Sequence, residues 1–199
     1  IRYKTSTNQA PRVSQPGEEG ESGIYEIELK ILADVGLVGL PNAGKSTLLS
    51  KLSSARPKIA DYPFTTLKPK LGIVKYGEYS SFVMADIPGL IKGASAGKGL
   101  GHQFLRHVER NKILLFLIDS QDPDPNTTFQ ILRDEIYQYN SDLRIKPIIV
   151  CQTKTDLEFE GKNQWSQINK EIIKISSLTG KGLNKLVRKI ISIIHKKNN

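Results

Sequence analysis

A glycine-rich loop between an apolar run and a helical pattern constrains this chain more than any other feature. The loop, GLPNAGKS at 39–46, matches the pattern G-x-x-x-x-G-K-[ST]. Gly39 and Gly44 allow the backbone to curl so that its N–H groups point inward, next to the positive end of the following helix. The pattern predicts a phosphate-binding loop in which Lys45 reaches the β- and γ-phosphates and Ser46 ligates Mg²⁺. The alternative interpretation is a glycine-rich turn that binds nothing.

Short apolar runs alternate with helical patterns along the rest of the chain. The runs typical of buried parallel strands are ADVGLV, FVMAD, KILLFLID, PIIVCQ and EIIKIS, and LGIVKY is predicted to pair with FVMAD in a hairpin through GEYSS. The helical patterns lie at 45–52, 102–110, 127–139, 165–169 and 183–195. This alternation predicts an α/β fold, a doubly wound and mostly parallel sheet with flanking helices. In such sheets, ligands bind beyond the carboxyl ends of the strands.

The first part of the chain differs in composition from the rest. Residues 1–23 are rich in Gly, Pro, Ser and charged residues, and a short alternating apolar pattern follows them. We therefore expect residues 1–32 to be the end of a preceding domain with its linker, and residues 33–199 to form one α/β domain. Met84 is the only methionine, so the natural start is expected to lie upstream of Ile1.

Charge and cysteine content bear on the partners and the compartment. The net charge is +9 over 199 residues, and the residues after Gly180 include several Lys and Arg but no acidic residue. Such an excess indicates an anionic partner or, more commonly, a solvated helix face. The single cysteine, Cys151, lies in an apolar run and suits a reducing compartment, so a cytoplasmic location is expected. A monomer is expected as well. No apolar run approaches the ~20 residues that a membrane helix needs, so no membrane insertion is expected.

A carboxylate and a glycine follow the phosphate loop at the end of a later apolar run. FVMADIPGL places Asp86 at the end of a predicted strand and Gly89 three residues later. Asp86 can hold Mg²⁺ through water, and the amide of Gly89 can approach a γ-phosphate without side-chain interference. Upstream of this motif, Thr65 or Thr66 can supply a second metal ligand, and the spacing leaves both open. Asp-x-x-Gly alone is usually only a strand-to-turn transition.

Two later segments predict which nucleobase the site selects. PIIVCQTKTDL places Thr153, Lys154 and Asp156 after a predicted strand. A carboxylate at Asp156 accepts the N1 and N2 hydrogens of guanine, whereas adenine offers no matching donor pair. Lys154 can lie across the phosphate loop with its alkyl stem, and backbone N–H groups of Ser176–Leu178 can meet guanine O6. These elements in this order predict a guanine-nucleotide-binding domain of the P-loop NTPase class, a Ras-like G domain.

Several segments resemble the Obg family of bacterial ribosome-associated GTPases. They are IELKILADVGLVGLPNAGKSTLLSKLSSARPKIADYPFTTLKPKLGIV, FVMADIPGLIKGASAGKGLGHQFLRHVER and STNQAPRVSQPGEEGE, the last similar to the end of that family's glycine-rich N-terminal domain. The resemblance implies a GTP hydrolase that uses Mg²⁺ and releases GDP and phosphate. It also implies a nucleotide switch in large ribosomal subunit assembly and linked stress and growth control, in contact with ribosomal RNA and proteins. The alarmone ppGpp is a further candidate ligand.

The resemblance implies a set of functional residues as well. Those expected to contact the nucleotide are Gly39, Leu40, Pro41, Asn42, Ala43, Gly44, Lys45, Ser46, Thr47, Phe64, Thr65, Thr66, Leu67, Lys68, Asp86, Ile87, Pro88, Gly89, Thr153, Lys154, Thr155, Asp156, Ser176, Ser177 and Leu178. The expected metal ligands are Ser46, Thr66 and Asp86, with Thr66 matching the family's magnesium threonine. The residues expected to act in catalysis are Lys45, Thr66, Gly89 and Asn42.

Three positions bear on affinity and rate. Thr153 stands where the family usually has asparagine in N-K-x-D, and its shorter hydroxyl can make fewer bonds, so Thr153→Asn is expected to tighten GDP binding. Leu90 follows Asp-x-x-Gly where many GTPases have a water-orienting glutamine, so hydrolysis is expected to be slow and accelerated in trans or by an ion. Asn42 is similar to the residue by which potassium-activated GTPases hold K⁺, which makes K⁺ a candidate cofactor. The alternative for Asn42 is a cap within the loop.

Two other functions are compatible with parts of the sequence. A sensor of guanine nucleotides or of an alarmone, with incidental hydrolysis, is favoured mildly by Leu90. A P-loop kinase that transfers phosphate to a small acceptor conflicts with Lys154 and Asp156, which select guanine. The sequence therefore favours a slow GTPase switch, with the sensor as the alternative.

Overall fold

One sheet of seven strands organises the described part of the chain. The computed structural model describes residues 6–7, 9, 17–20, 22–23, 33–59, 69–86, 111–139, 141–157, 165 and 168–196. The strands are β1 (Val35–Val38), β2 (Lys58–Ile59), β3 (Lys70–Tyr76), β4 (Ser80–Asp86), β5 (Ile113–Asp119), β6 (Ile148–Thr153) and β7 (Ile172–Lys174). The α-helices in these ranges are α1 (Lys45–Leu52), α2 (Pro125–Tyr139) and α3 (Leu183–Lys196), and a 3-10 helix spans Ser141–Ile145.

The strand order places the beginning of the predicted phosphate loop in the middle of the sheet. The order is β2-β3-β4-β1-β5-β6-β7, and the pairs from β4 to β7 are parallel, while β3 is antiparallel to both of its neighbours. The predicted hairpin is β3 and β4, and this prediction is confirmed. In the register, Leu37 pairs with Asp86 and Asp119 pairs with Thr153. Because parallel strands end at the same edge, the segments that follow β1, β4, β5 and β6 meet there.

Two hydrophobic layers cover the faces of the sheet. Strand β5 is buried along most of its length, with Leu115 and Leu117 in one core cluster and Phe116 in the other. Helices α1 and α3 pack on the first face, where α3 buries an apolar stripe made of Leu183, Leu186, Ile190 and Ile194. Helix α2 packs on the second face. Each fully buried Leu or Ile side chain contributes about 1.5–3 kcal/mol to the stability of the fold. The helices packed on both faces therefore hold the sheet in place, including the edge at which its parallel strands end.

The helical predictions differ from the structure by more than one residue at two places. Helix α2 begins at Pro125 rather than at residue 127. Around 165–169, the described residues are not in a helix, and Ile168 N–H instead donates to the carbonyl of Trp165 at 3.3 Å. The predicted helix at 102–110 lies outside the described residues.

The basic region after Gly180 is less isolated than its sequence indicates. Glu171, which precedes β7, accepts ion pairs from Lys185 at 2.8 Å and from Lys189 at 3.2 Å. These two pairs lower the pKa of the Glu171 carboxyl. Two lysines of α3 therefore have an acidic partner that precedes Gly180 in the sequence.

The proposed division at residue 32 stays a prediction. Among residues 1–32, those that are described are not in a helix or strand. None of the described helices has the length and apolarity needed to cross a bilayer.

Candidate nucleotide-binding site

The loop between β1 and α1 has the backbone that its glycines predict. A Cβ atom on Gly39 would lie 2.6 Å from the carbonyl oxygen of Leu117, so only glycine allows this loop to pass so close to β5. Gly44 adopts a φ of 90° and Asn42 a φ of 63°, both in the left-handed region. The first turn of α1 contains no acidic residue. The positive end of the helix therefore carries no acidic residue of its own and favours an anion.

Lys45 folds back over this loop. Its ammonium donates hydrogen bonds to the carbonyl of Gly39 at 2.8 Å and to that of Leu40 at 2.9 Å. Burial lowers the pKa of Lys45 below its ordinary value of 10.5, and the charge of Asp86 opposes this shift in part. A phosphate beside Lys45 would give the partly desolvated ammonium an anionic partner, as its predicted role requires.

Ser46 and Asp86 come together from elements that are far apart in the sequence. The Ser46 hydroxyl donates to Asp86 Oδ2 at 2.5 Å, and Asp86 ends β4 next to β1. The side chain of Asp86 is buried, and its Oδ1 has no hydrogen-bond partner in the described part of the chain. A buried carboxylate oxygen without a partner is costly, which makes it a fitting ligand for a cation.

Magnesium fits this pair of residues. Mg²⁺ prefers oxygen ligands and is usually held by one or two protein groups together with substrate phosphates and water. The hydroxyl of Ser46 and the carboxylate of Asp86 supply such oxygens beside the phosphate loop. The described ranges contain no cluster of three or more His, Cys, Asp or Glu that could hold a metal by itself.

Thr153 joins the predicted base-binding segment to the phosphate loop. It is the last residue of β6 and is buried, with 3% of its surface exposed. Its hydroxyl donates to the carbonyl of Ala43 at 2.9 Å, and the carbonyl of Ile118 is a second acceptor at 3.3 Å. The two predicted halves of the site are thus bonded directly to each other.

Lys154 contacts a residue that the sequence did not single out. Its ammonium pairs with Asp119 Oδ2 at 2.6 Å. The position of its alkyl stem across the phosphate loop stays a prediction. The backbone of Lys154 has a φ of 54°, and its carbonyl accepts a hydrogen bond from the hydroxyl of Ser120 at 2.8 Å. The one available signal was that Asp119 ends the apolar run KILLFLID at the edge where ligands bind.

The turn after β6 presents Asp156 to solvent. Leu157 N–H donates to the carbonyl of Lys154 at 3.0 Å, and Thr155 N–H donates to the carbonyl of Ile175 at 3.2 Å. Asp156 is exposed, so its carboxylate is accessible to a ligand. The hydroxyl of Thr155 is buried without a hydrogen-bond partner among the described residues.

The Ser176–Leu178 turn lies beyond the neighbouring strand, β7. Ser176 is fully buried, and its hydroxyl oxygen accepts a hydrogen bond from Thr179 N–H at 3.1 Å. Gly180 N–H closes the turn on the carbonyl of Ser176 at 2.9 Å. Ser177 is half-buried and Leu178 is exposed. The strand pairing of β6 with β7 brings this turn to the same edge as Asp156.

The predicted site residues that are described lie at or just after the ends of β1, β4, β6 and β7, and one predicted group lies outside the described residues. Pro41, Asn42, Ser46 and Thr47 are exposed on the phosphate loop and the start of α1, while Ala43 is buried. The predictions for Phe64, Thr65, Thr66, Leu67, Lys68, Ile87, Pro88 and Gly89 lie outside the described residues. They stay predictions.

The fold and this loop geometry define a P-loop nucleotide-binding domain, and comparison with known proteins narrows the class. The family model described as "50S ribosome-binding GTPase" matches residues 34–154, more than half of the chain. The chain therefore belongs to this family of GTPases.

Relatives of high identity carry the name that the sequence resemblance indicated. The chain is 52% identical to GTPase Obg of Thermodesulfovibrio yellowstonii, over 98% of this chain and 60% of the relative. It is 54% identical to GTPase Obg of Prosthecochloris aestuarii, over 92% of this chain and 57% of the relative. The resemblance to the Obg family is confirmed, and the chain spans less than two thirds of the length of these relatives.

Solved structures confirm the predicted fold class. The G domain of the T. maritima FeoB iron transporter aligns with a TM-score of 0.60 and 23% identity, over 80% of this chain and 97% of that one. Era of Aquifex aeolicus, bound to GDP and aluminium fluoride, aligns with a TM-score of 0.59 and 28% identity, over 83% of this chain and 57% of that one. The described sheet is thus that of a Ras-like G domain.

Proposed function

We propose that this chain binds guanine nucleotides with Mg²⁺ and hydrolyses GTP to GDP and phosphate. The observation that carries the proposal is the Ser46–Asp86 contact at the start of α1, with a buried and unpartnered Asp86 oxygen beside the phosphate loop. Membership of a GTPase family supports the reaction. The exposed Asp156 at the same edge supports the choice of base.

The phosphate loop and Lys45 would hold the di- or triphosphate. Backbone N–H groups of the loop and the positive end of α1 would bind its oxygens. The Lys45 ammonium, which donates hydrogen bonds to two carbonyls of the loop, would donate to phosphate oxygens instead. Ser46, Thr66 and Asp86 are the proposed metal ligands. When bound, Mg²⁺ neutralises negative charge on the β- and γ-phosphates. In this scheme the amide of Gly89 contacts the γ-phosphate, and Thr66 and Gly89 respond to its presence.

Asp156 would select guanine over adenine. Its carboxylate can accept both the N1 and N2 hydrogens of guanine, while adenine has no donor pair in that geometry. An unmatched carboxylate against a base loses these bonds and its hydration, which costs several kcal/mol. Backbone N–H groups from the Ser176–Leu178 turn are the proposed donors to guanine O6.

Hydrolysis by the isolated chain is proposed to be slow. Leu90 occupies the position after Asp-x-x-Gly and cannot orient a water molecule by hydrogen bonding. Unassisted Ras-like hydrolysis is already on the order of 10⁻⁴ per second. The exposed Asn42 is the proposed contact for K⁺, which would stabilise charge that develops on the phosphates. Equal rates in matched KCl and NaCl buffers, with and without ribosomes, would contradict the K⁺ proposal.

The proposed partner is the large ribosomal subunit, through its RNA and proteins. The family model's description as ribosome-binding GTPase and the net charge of +9 support it. In this proposal, GTP and Mg²⁺ order the site for binding to the particle, and hydrolysis releases it. The chain would act as a cytoplasmic monomeric switch in subunit assembly and in linked stress and growth control, with ppGpp as a competing ligand.

A second candidate function is a sensor of GDP, GTP or ppGpp whose hydrolysis is incidental. Leu90 is the observation that favours it, because the residue removes the usual means of orienting water. Single-turnover hydrolysis with and without large ribosomal subunits separates the two functions. Acceleration by the subunit supports the switch, and an unchanged rate supports the sensor.

Base selection is tested by Asp156→Asn. Calorimetry with Mg²⁺ is expected to show preference for GDP over ADP in the wild type and about a hundredfold weaker GDP binding in the variant. Xanthosine diphosphate should bind the variant better than the wild type, because an amide N–H can donate to its C2 carbonyl. Asp134→Asn, an exposed carboxylate on α2, is the matched control and should leave GDP affinity unchanged. Equal binding of ATP and GTP by the wild type would contradict the proposed function.

A further inference from the structure

The end of β5 makes three contacts with the base-binding turn, the segment of residues 153–157 that carries Asp156. Asp119 Oδ2 accepts the ion pair from the Lys154 ammonium at 2.6 Å. The hydroxyl of Ser120 donates to the carbonyl of Lys154 at 2.8 Å, and Ser120 N–H donates to the carbonyl of Thr153 at 2.9 Å. Asp119, the last residue of β5, and Ser120, which follows it, therefore bind both the side chain and the backbone of Lys154.

The backbone of Lys154 requires such support. Its φ of 54° lies in the left-handed region, which is unfavourable for a residue with a long side chain. Conformations of this kind persist where the surroundings hold them, and they are frequent at ligand sites. The Lys154 carbonyl also accepts the bond from Leu157 N–H that closes the turn carrying Asp156. The conformation of Lys154 thus sets how Asp156 is presented.

Asp119 is itself held in place, and it borders the phosphate loop. Its Oδ1 accepts a hydrogen bond from Gln121 N–H at 3.1 Å, which leaves Oδ2 for the ammonium. The side chains of Lys154 and Asp119 are 37% and 24% exposed, so the ion pair is partly shielded from water. An open cleft of about 270 Å³ is lined by Asp119 together with Leu40 and Pro41 of the loop.

We infer that Asp119 and Ser120 are positioning residues for guanine recognition. They act through Lys154: Asp119 anchors the ammonium, Ser120 anchors the carbonyl, and together they hold the turn that presents Asp156 to the base. The inference rests on the proposed guanine-nucleotide binding. It assigns the Lys154 charge to Asp119, so that the nucleotide phosphates are bound without it.

The test separates base binding from phosphate binding in the 199-residue chain. The affinity for GDP is measured by calorimetry with Mg²⁺. The affinity for inorganic pyrophosphate is measured in the same way, by competition with GDP. Asp119→Asn is expected to weaken GDP binding about three- to tenfold, as for loss of a partly exposed charged hydrogen bond. Ser120→Ala should weaken it about threefold. Pyrophosphate affinity should change in neither variant, because pyrophosphate has no base.

A double-mutant cycle tests the route through Lys154. Lys154→Met keeps the alkyl stem and removes the ammonium, so Asp119→Asn should have no further effect on GDP affinity in that background. Asp134→Asn, whose carboxylate pairs with Arg133 on the surface of α2, is the matched control. The inference is overturned by unchanged GDP affinity in Asp119→Asn, by equal losses for GDP and pyrophosphate, or by the same loss in the Lys154→Met background. Failure of the proposed function is a separate result, namely a wild type that does not prefer GDP over ADP.

Discussion

Thr153 lies where the phosphate loop and the base-binding turn meet. Its hydroxyl donates to the carbonyl of Ala43 in the loop, and Lys154, which follows it, pairs with Asp119. From the sequence, Thr153 was interpreted as a weaker base contact than asparagine. The structure adds a bond to the phosphate loop, so substitutions here should change stability as well as affinity.

Thr153 can be tested with a short series of substitutions. Thr153→Val has nearly the same shape but leaves the buried Ala43 carbonyl without its donor, which should lower the free energy of unfolding by about 1–2 kcal/mol and weaken GDP binding. Thr153→Ser keeps the hydroxyl and is the control. Thr153→Asn can keep the bond with its amide N–H and add a polar atom, so GDP binding should tighten about three- to tenfold. Urea unfolding and calorimetry measure both effects, and a valine variant that matches the serine variant in both contradicts the bonding role.

Single residues were predictable where a motif names them. The loop residues, Lys45, Ser46 and Asp86 were expected from pattern and spacing, and the structure brings them to one edge. Asp119 was not predicted, because its partner lies 35 residues away and only the register of β5 on β6 makes them neighbours. Glu171 was missed as the partner of the α3 lysines because that contact depends on how α3 packs beside β7. Side-chain contacts across the sheet need the register, and a single sequence does not supply it.

At the scale of elements, the start of α2 depends on one carboxylate. Asp124 precedes the helix, its Oδ1 accepts a hydrogen bond from Thr127 N–H at 3.1 Å, and its carbonyl accepts one from Thr128 N–H. Pro125 follows at the first helical position, where a missing N–H costs nothing. Asp124 is therefore the N-cap of the helix that covers one face of the sheet.

Loss of this cap should destabilise the chain in a pH-dependent way. The hydrogen bonds from Thr127 lower the pKa of Asp124 below its ordinary value of 3.8. A lowered carboxyl pKa gives stability that is present above the unfolded-state value and is lost as the pH falls through the folded-state value. Asp124→Ala should thus lower the melting temperature by a few degrees at pH 7, with a gap that narrows below pH ~4. The control, Asp124→Asn, keeps a hydrogen-bond acceptor but removes the charge. A difference in melting temperature between the wild type and the alanine variant that stays constant across this pH range would contradict the capping role.

Elements were predictable where their patterns are long, and less so at their ends. The buried stripe of α3 repeats every three or four residues, and the prediction of 183–195 differs from the structure by one residue. The start of α2 was placed too late because Asp124 and Pro125 lie outside its apolar pattern. Strand β2, with two residues, is too short to show a period and was not predicted.

At the scale of the whole molecule, the site draws its residues from strands across the sheet. The phosphate loop follows β1, Asp86 ends β4, Asp119 ends β5, and Thr153 ends β6, and these strands are consecutive in the order β4-β1-β5-β6. The sequence predicted a shared edge, since parallel strands separated by helices must end together. It did not predict the strand order, which depends on how each connection crosses the sheet.

A ligand that spans these strands should stabilise the described fold as a unit. A nucleotide that binds only the folded state adds about 2.7 kcal/mol of stability at a concentration of one hundred times its Kd. For a domain of this size, that corresponds to a rise of roughly 5–10 °C in melting temperature. We expect GDP with Mg²⁺ to produce this rise, which thermal unfolding monitored by circular dichroism measures.

The controls for this shift separate the contributions of base and metal. ADP at the same concentration should raise the melting temperature much less than GDP does, because its phosphates bind the same loop but its base offers Asp156 no donor pair. Removal of Mg²⁺ with EDTA should reduce the GDP effect, because the phosphates and Asp86 then repel each other without a cation between them. Equal rises with ADP and GDP would mean that the phosphate loop alone carries the affinity. The turn that Lys154 and Thr153 hold in place would then have no part in choosing the nucleotide.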